Sequence, residues 1–466
     1  GFITAKSIAG DIDARNIVSA GVGTFGSTGS FGGDITVNGI NIGKGANSAS
    51  GNTVLGLAAL DAAVTGTDNT AIGNVSATTL TSGGSNTSVG SQSLQLNTTG
   101  DRNTAIGKDA LRYFVASNNT AVGVDALTGQ SGSSTGSNNV AMGYLALGAN
   151  TTGSLNIGIG VETLDANTTG SYNVAVGKGA MGSNTTADYN TAVGQEALFG
   201  NTTGAKNTAV GAFALYTSST ESNNTAIGYD ALRSNTTGTE GVAVGHEALK
   251  ANTTGNENTA VGQSALVTNT TGSHNVAVGQ DALFTNNANY NTAIGVNAMY
   301  YTSTGYENTV VGYSALETNS TGHTNTAIGF KALEANTTAN GNTACGAYAL
   351  YVNTTGTENS AFGKSALGAN IDGNYNCAFG REALRLNTGG GENCAFGYEA
   401  LEANTTGGAN IAIGYEALAA NTTGSNNIAL GHSALMTQSG DTQNIAIGHE
   451  ALKVCIGSKN VALGYR

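Results

Sequence analysis

The chain has 466 residues, including 70 Gly, no Pro and no Trp, and only 10% of its side chains are charged. That composition lacks the large apolar side chains of the several compact domains its length would suggest, and it fits a thin core of small residues continued lengthwise. A formal charge of −13 and a pI near 4.7 disfavour nucleic acid or an anionic membrane surface as a partner, because both need clustered Lys and Arg.

At the N-terminus, Gly1-Phe2-Ile3-Thr4 has neither a Met nor the basic-then-apolar pattern of a signal peptide, which predicts a processed chain or a piece of a longer one. Residues 1–46, which lack the period, are expected to form an N-terminal β-rich connector. Short strands are expected at Phe2-Ile3-Thr4-Ala5, Ile12 to Val18, Asp34-Ile35-Thr36-Val37 and Ile40-Asn41-Ile42, with a flexible glycine-rich stretch from Gly26 to Gly33. No run of about 18 apolar residues occurs anywhere, so no membrane insertion is expected.

A period takes over in residues 47–466. The unit Asn-Thr-Ala-(Val/Ile)-Gly appears at Asn173 to Gly177, returns at Asn190 to Gly194, and is found in 25 copies. Of the 24 intervals between closing glycines, 20 are 17 residues, three are 16, and one, from Gly123 to Gly143, is 20. The long interval holds Gly129 to Gly136, a loop extension of the kind repeat folds tolerate on one face.

Within a unit the first five residues alternate with period two. Thr and Val/Ile share one face, where Val140, Ile157, Val174, Ile428 or Cys377 replace Thr; Ala and Gly share the other, with Gly158 as an exception to Ala. A strand apolar on both faces is covered on both sides. The Ala-Leu pair that follows, as in Ala231-Leu232 or Ala383-Leu384, predicts a shorter second strand with one wet side; seven residues are too few for the rival helix. Asn-Thr-Thr-Gly then closes the coil, with Asn bonding its own backbone and Gly supplying positive φ.

One coil cannot bury enough surface to offset the ordering of its own residues, at about 1–2 kcal/mol each for the backbone. Stacked coils can, which predicts an all-β parallel β-solenoid of about 25 coils, roughly 120 Å long at about 4.8 Å per coil. The opening Asn, present in 24 of the 25 copies with Gly241 the exception, can hydrogen-bond from coil to coil as an amide ladder. Asn173, Gly177, Asn190 and Gly194 are thus structural positions. The Asn-x-Thr triplets also match the N-glycosylation pattern, but they recur with the repeat and belong to its turns.

The four cysteines, Cys345, Cys377, Cys394 and Cys455, form no C-x-x-C pair. The first three occupy strand positions and read as small buried apolar residues; Cys377 and Cys394 lie one repeat apart, near enough for a disulfide that nothing else in the sequence supports.

Filling the interior of a two-sheet roll leaves one apolar face of the first strand uncovered. The economical cover is the same stripe from identical chains around a common axis. On these residues the resemblance becomes specific. Asn-Thr-Ala-Val-Gly-x-x-Ala-Leu resembles the Ser-Val-Ala-Ile-Gly-x-x-Ala units in the heads of YadA-like trimeric autotransporter adhesins, which are trimers of left-handed β-rolls with shorter coils. The 17-residue form is similar to repeats of bacteriophage tail-fibre proteins, marine and cyanobacterial phages especially. Asp34 to Gly45 resembles the lead-in to such repeats, and Asp11 to Gly21 is similarly fibre-like.

The resemblance implies a homotrimeric virion tail fibre whose partners are a host cell-surface glycan or protein and other phage tail proteins. A bacterial trimeric adhesin or extracellular filament, at the cell surface, is the alternative, and an ice-binding solenoid with a Thr ladder is a third. Some relatives carry a C-terminal chaperone domain that is cleaved after assembly; the final copy, Asn460 to Gly464, ends in a bare strand edge, so a further segment or protein is expected beyond Arg466.

Catalytic motifs are missing, with no G-x-S-x-G, P-loop or H-E-x-x-H, so a non-enzymatic role without cofactor or metal is expected. Glu382, Glu399 and Glu416 recur two residues after the key glycine and read as solvated surface charge rather than glycosidase carboxylates. The position directly after that glycine carries Tyr144, Tyr229, His246, Tyr313, Tyr398, Tyr415, His432 and His449. Stacking would set Tyr398 above Tyr415 and His432 above His449 as an exposed strip, either a surface for sugar or protein contact or ordinary cross-coil packing.

Overall fold

The computed structural model describes residues 34–132 and 134–466. The expected strands at Phe2 to Ala5 and Ile12 to Val18, the 26–33 stretch and the fibre-like 11–21 segment lie outside them. Among the described residues the protein is an all-β parallel solenoid of about 24 turns, with one short 3₁₀ turn over Ala46–Ser48 as its helical content.

An antiparallel hairpin starts the sheet. β1 (Ile35–Val37) pairs with β2 (Ile40–Gly43), and β2 pairs antiparallel with β3 (Thr53–Gly56), the first coil strand. The Asp34 carboxylate closes the hairpin base by accepting the Lys44 and Gly45 backbone N–H groups, both at 2.6 Å. The hairpin thus occupies the edge of the first coil with backbone partners.

From β3 onward each coil contributes one strand, ending with β27 (Val461–Leu463), and successive strands pair parallel and in register. Between β10 (Val174–Val176) and β11 (Thr191–Val193), for instance, Val174 meets Thr191 and Ala175 meets Ala192. Ala192 is fully buried while Thr191 and Val193 face outward. The two faces of the unit are those expected, and the structure turns the Ala side inward; Val54, Ser88 and Val310 take that inner position as well as Gly158.

The Ala-Leu segment is not a second strand. It forms the opposite wall of the coil as a run of turns in which alternate residues adopt positive φ, such as Glu196 at 52° and Leu198 at 53°. Its backbone still bonds from coil to coil: Glu196 N–H reaches the Lys178 carbonyl at 2.9 Å, and Leu198 N–H reaches the Ala214 carbonyl at 2.9 Å. Alternating right- and left-handed residues curls the chain while aiming amides along the rod axis, so the wall is laddered without being extended. Ala197 and Leu198 point inward and are fully buried, meeting the strand alanines in a core one side chain thick.

Two amide ladders fill the rest of the interior. In the expected one, Asn173 Oδ1 accepts the Asn190 N–H at 3.0 Å, as Asn156 Oδ1 accepts that of Asn173 at 3.0 Å. The second runs through the Asn-Thr-Thr-Gly turns, where Asn184 Nδ2 donates to Asn167 Oδ1 at 2.7 Å and Asn201 Nδ2 donates to Asn184 Oδ1 at 3.1 Å. A shared acceptor ties them together: the Gly204 carbonyl takes Asn190 Nδ2 and Asn201 Nδ2, each at 2.9 Å. These asparagines are buried, which withdraws them from glycosylation.

Glycine serves two purposes. Gly177 and Gly194 sit at φ 128° and 134°, and a Cβ on either would fall 2.5–2.6 Å from the backbone of the key glycine in the next coil. The turn glycine needs no positive φ, contrary to the expectation. At Gly170 a Cβ would lie 2.4 Å from the Ala187 carbonyl, so close coil approach selects the small residue there.

These roles predict local rather than global effects, because each coil contacts its neighbours alone. Asn190→Ala removes the acceptor of the buried Asn207 N–H, now 2.8 Å away, and should cost about 1–3 kcal/mol. Gly194→Ala adds both strain and overlap and should cost more than about 1 kcal/mol. Amide hydrogen exchange should show loosening centred on those coils, with distant coils protected as before; unchanged protection at Asn207 would contradict the ladder.

Candidate functional site

The side chains expected to form a strip do come together. Tyr398 and Tyr415 stack with ring centroids 5.2 Å apart, Tyr415 and His432 at 5.0 Å, and His432 and His449 at 5.0 Å. The column continues to Tyr465, 5.1 Å from His449, which sits at the same unit position and was legible by the same rule. Arg381 lies over the free face of Tyr398 at 5.6 Å and Arg466 over Tyr465 at 5.7 Å, so a cation closes each end. The coil spacing sets this arrangement, since residues one repeat apart are held near the distance at which rings stack. Elsewhere in the same row Tyr229 stacks on His246 at 5.5 Å and Tyr313 on Phe330 at 5.4 Å.

Ring faces in the column are occupied by one another, so it presents edges: phenol hydroxyls and imidazole nitrogens. Tyr398 and Tyr415 are held above the ordinary phenol range, foremost by hydrogen bonding to the Glu399 and Glu416 carboxylates. His432 Nδ1 lies 3.0 Å from Ser433 Oγ. The result is a neutral-to-acidic hydrogen-bonding edge suited to a polar partner. The acid row expected as solvated charge is partly tied down: Glu382 pairs with Arg381 at 2.9 Å and with Arg385 at 3.6 Å. Among the described residues, no group of three or more His, Cys, Asp or Glu side chains is placed to hold a metal ion.

A second surface runs along the outward strand face. Its Val/Ile row stays accessible in the single chain, with Ile106, Ile227, Ile294, Ile328 and Leu430 each 40% exposed. Phe362, Phe379 and Phe396 stack within it at 4.4 and 4.6 Å. Cys377 and Cys394 are register partners on this face, free and half-buried, where the sequence suggested burial; they point out of the coil because they replace Thr. Cys345 is likewise half-buried, and Cys455 is buried. Burial pushes the Cys377 thiol up, with Cys394 adding to the effect. The free edge of β27 leaves Val461 and Leu463 exposed.

No helix among the described residues is long and apolar enough to cross a membrane. No known protein family and no curated protein matches the chain.

At the end of the ring column Glu450 is paired with Lys453 at 2.8 Å and Arg466 at 2.6 Å. The Lys453 hydrogen bond, then that of Arg466, draws its carboxyl down to about 2 from 4.5. A depressed acid stabilises fully above its unfolded value, so this pairing holds the last coil above pH 4.5 and is lost as pH falls towards 2. A carboxyl-carbon NMR titration should place the Glu450 midpoint near 2 and move it upward in Lys453→Met; a midpoint near 4.5 in the parent chain would refute the pairing.

Proposed function

We propose that this chain is one of three identical strands in a bacteriophage tail fibre, a non-enzymatic rod that spaces and presents contacts to a host cell surface. The observation that carries the reading is the outward apolar row, which continues through every coil strand and lies bare in the single chain. Left in water, a stripe of that length is far larger than soluble monomers carry. Three copies of a left-handed roll, set side by side in the same direction, would cover it with itself. Each coil then contributes a small apolar contact that the period repeats along the rod. The likeness of the unit to trimeric adhesin heads and phage fibre repeats supports the same assembly.

In this reading the interior of each coil is scaffold, and the turn rows, the ring column among them, meet the host glycan or protein. Mass photometry of the purified chain should give trimers, and Phe379→Asp combined with Phe396→Asp should shift the population towards monomer while leaving the β signal of the coils. A stable wild-type monomer overturns the assembly and the fibre with it.

A further inference from the structure

Along one turn edge of the rod, a Ser, Asp or Asn two before the ladder asparagine commonly accepts a hydrogen bond from the backbone N–H of its copy in the preceding coil. Asn374 Oδ1 takes the Thr357 N–H at 2.7 Å, and Ser425 Oγ takes the Gly408 N–H at 3.0 Å. Between these coils the row holds Gly391 and Gly408, which offer no side chain. The N–H groups of Asn374 and Gly391 therefore lose that acceptor, and neither donates to another protein group among the described residues. Neither glycine is at positive φ, and the row accepts Asn374 and Ser425 on either side, so the stack itself does not demand glycine here.

The missing side chains leave a shallow, open trough of about 480 Å³ on the rod surface. Gly389, Gly391 and Gly408 line its base, while Asn374, Asn426 and Glu392 contribute polar side chains. Tyr375 stands at one end with 63% of its surface exposed. Its copies in the adjoining coils are Glu358 and Glu392, so its ring has no aromatic neighbour in the row and keeps a face available, unlike the rings of the Tyr398 column. No Lys or Arg lines the trough.

We propose that this trough binds a short neutral saccharide. A pyranose presents a C–H face that packs on an aromatic ring, and hydroxyls that need donors and acceptors around its rim. Tyr375 supplies the ring, the Asn374 and Asn426 amides and the Glu392 carboxylate supply the side-chain partners, and the two open backbone N–H groups supply fixed donors. Glu392 and the lack of a cation select against sialylated or uronate-bearing sugars. The proposal names a ligand class for the host contact above and rests on the fibre reading for the source of the sugar.

The test is an array of neutral gluco-, galacto- and manno-oligosaccharides with sialylated and uronate-bearing counterparts, probed with the full chain. Calorimetric titration of the strongest neutral binder follows, on wild type, Tyr375→Ala and Gly408→Ser. The expected result is neutral-sugar binding that weakens at least tenfold in Tyr375→Ala and in Gly408→Ser, whose hydroxyl refills the row. Circular dichroism should be unchanged in both trough variants, since one removes an exposed ring and the other restores a row residue. No binding, binding of acidic sugars alone, or undiminished affinity in either trough variant overturns the site. Mass photometry on the same samples separates the two readings: a trimer that binds no neutral sugar overturns the trough alone, and a monomer that binds one overturns the fibre alone.

Discussion

The amide of Gly194 lies 2.8 Å from the Val176 carbonyl of the preceding coil, and equivalent contacts repeat around the turn at Glu196 and Leu198. Backbone-to-backbone contact on the strand and on the wall opposite it holds each coil at one strand spacing from the next. A Cβ at the key glycine would meet the next coil at under 3 Å, which is why that position keeps Gly where its neighbours vary. The thin core follows as well. A coil this small has room for an alanine, an Ala-Leu pair and two asparagines, and polar amides can stay inside because the copy one coil away supplies their partners.

The same spacing turns a list of similar side chains into ladders. Tyr, His and Phe in one row stack because the backbone has already set them near ring-stacking distance, so little additional ordering is required. Irregularities become conspicuous against this background. Where Ser218 follows Asn201 in the second amide ladder, Asn201 Oδ1 is left buried without a partner. Asn97, flanked in its row by Leu80 and Phe114, stands without a ladder neighbour and leaves its Nδ2 buried and unpaired, while the fully buried Phe114 ring fills the core beside the loop extension. A repeat fold absorbs such faults singly, since each is shared between adjoining coils.

Much of this was legible from the residues. The period announced the solenoid, the two-residue alternation announced one face of Thr and Val/Ile and another of Ala and Gly without saying which turns inward, and the nearly invariant Asn announced an amide ladder. The Ala-Leu wall was not legible, because a leucine in left-handed conformation contradicts its intrinsic preference, and coil-to-coil bonding holds it there. The second Asn ladder was masked by turn chemistry, since Asn-Thr-Thr-Gly reads equally well as a solvent-facing turn. The turn glycine was assigned to backbone conformation when close approach was the reason, a distinction that needs the neighbouring coil in view. The strip at Tyr398, Tyr415, His432 and His449 was legible in place, but its ring faces turned out to be spent on one another.

That last point bears on where recognition can reside. A ladder of identical residues is good scaffold and poor information, because every coil presents the same chemistry. Distinct surface arises where a row is broken: Gly391 and Gly408 interrupt a row of capping side chains, and Tyr375 stands between two glutamates instead of two rings. Such breaks leave the interior untouched, since the row positions lie outside the Ala, Leu and Asn that hold the coil together. A solenoid built this way can change its contacts by substituting outward residues while its stacking remains constant. The regularity of the inside is what allows the outside to vary.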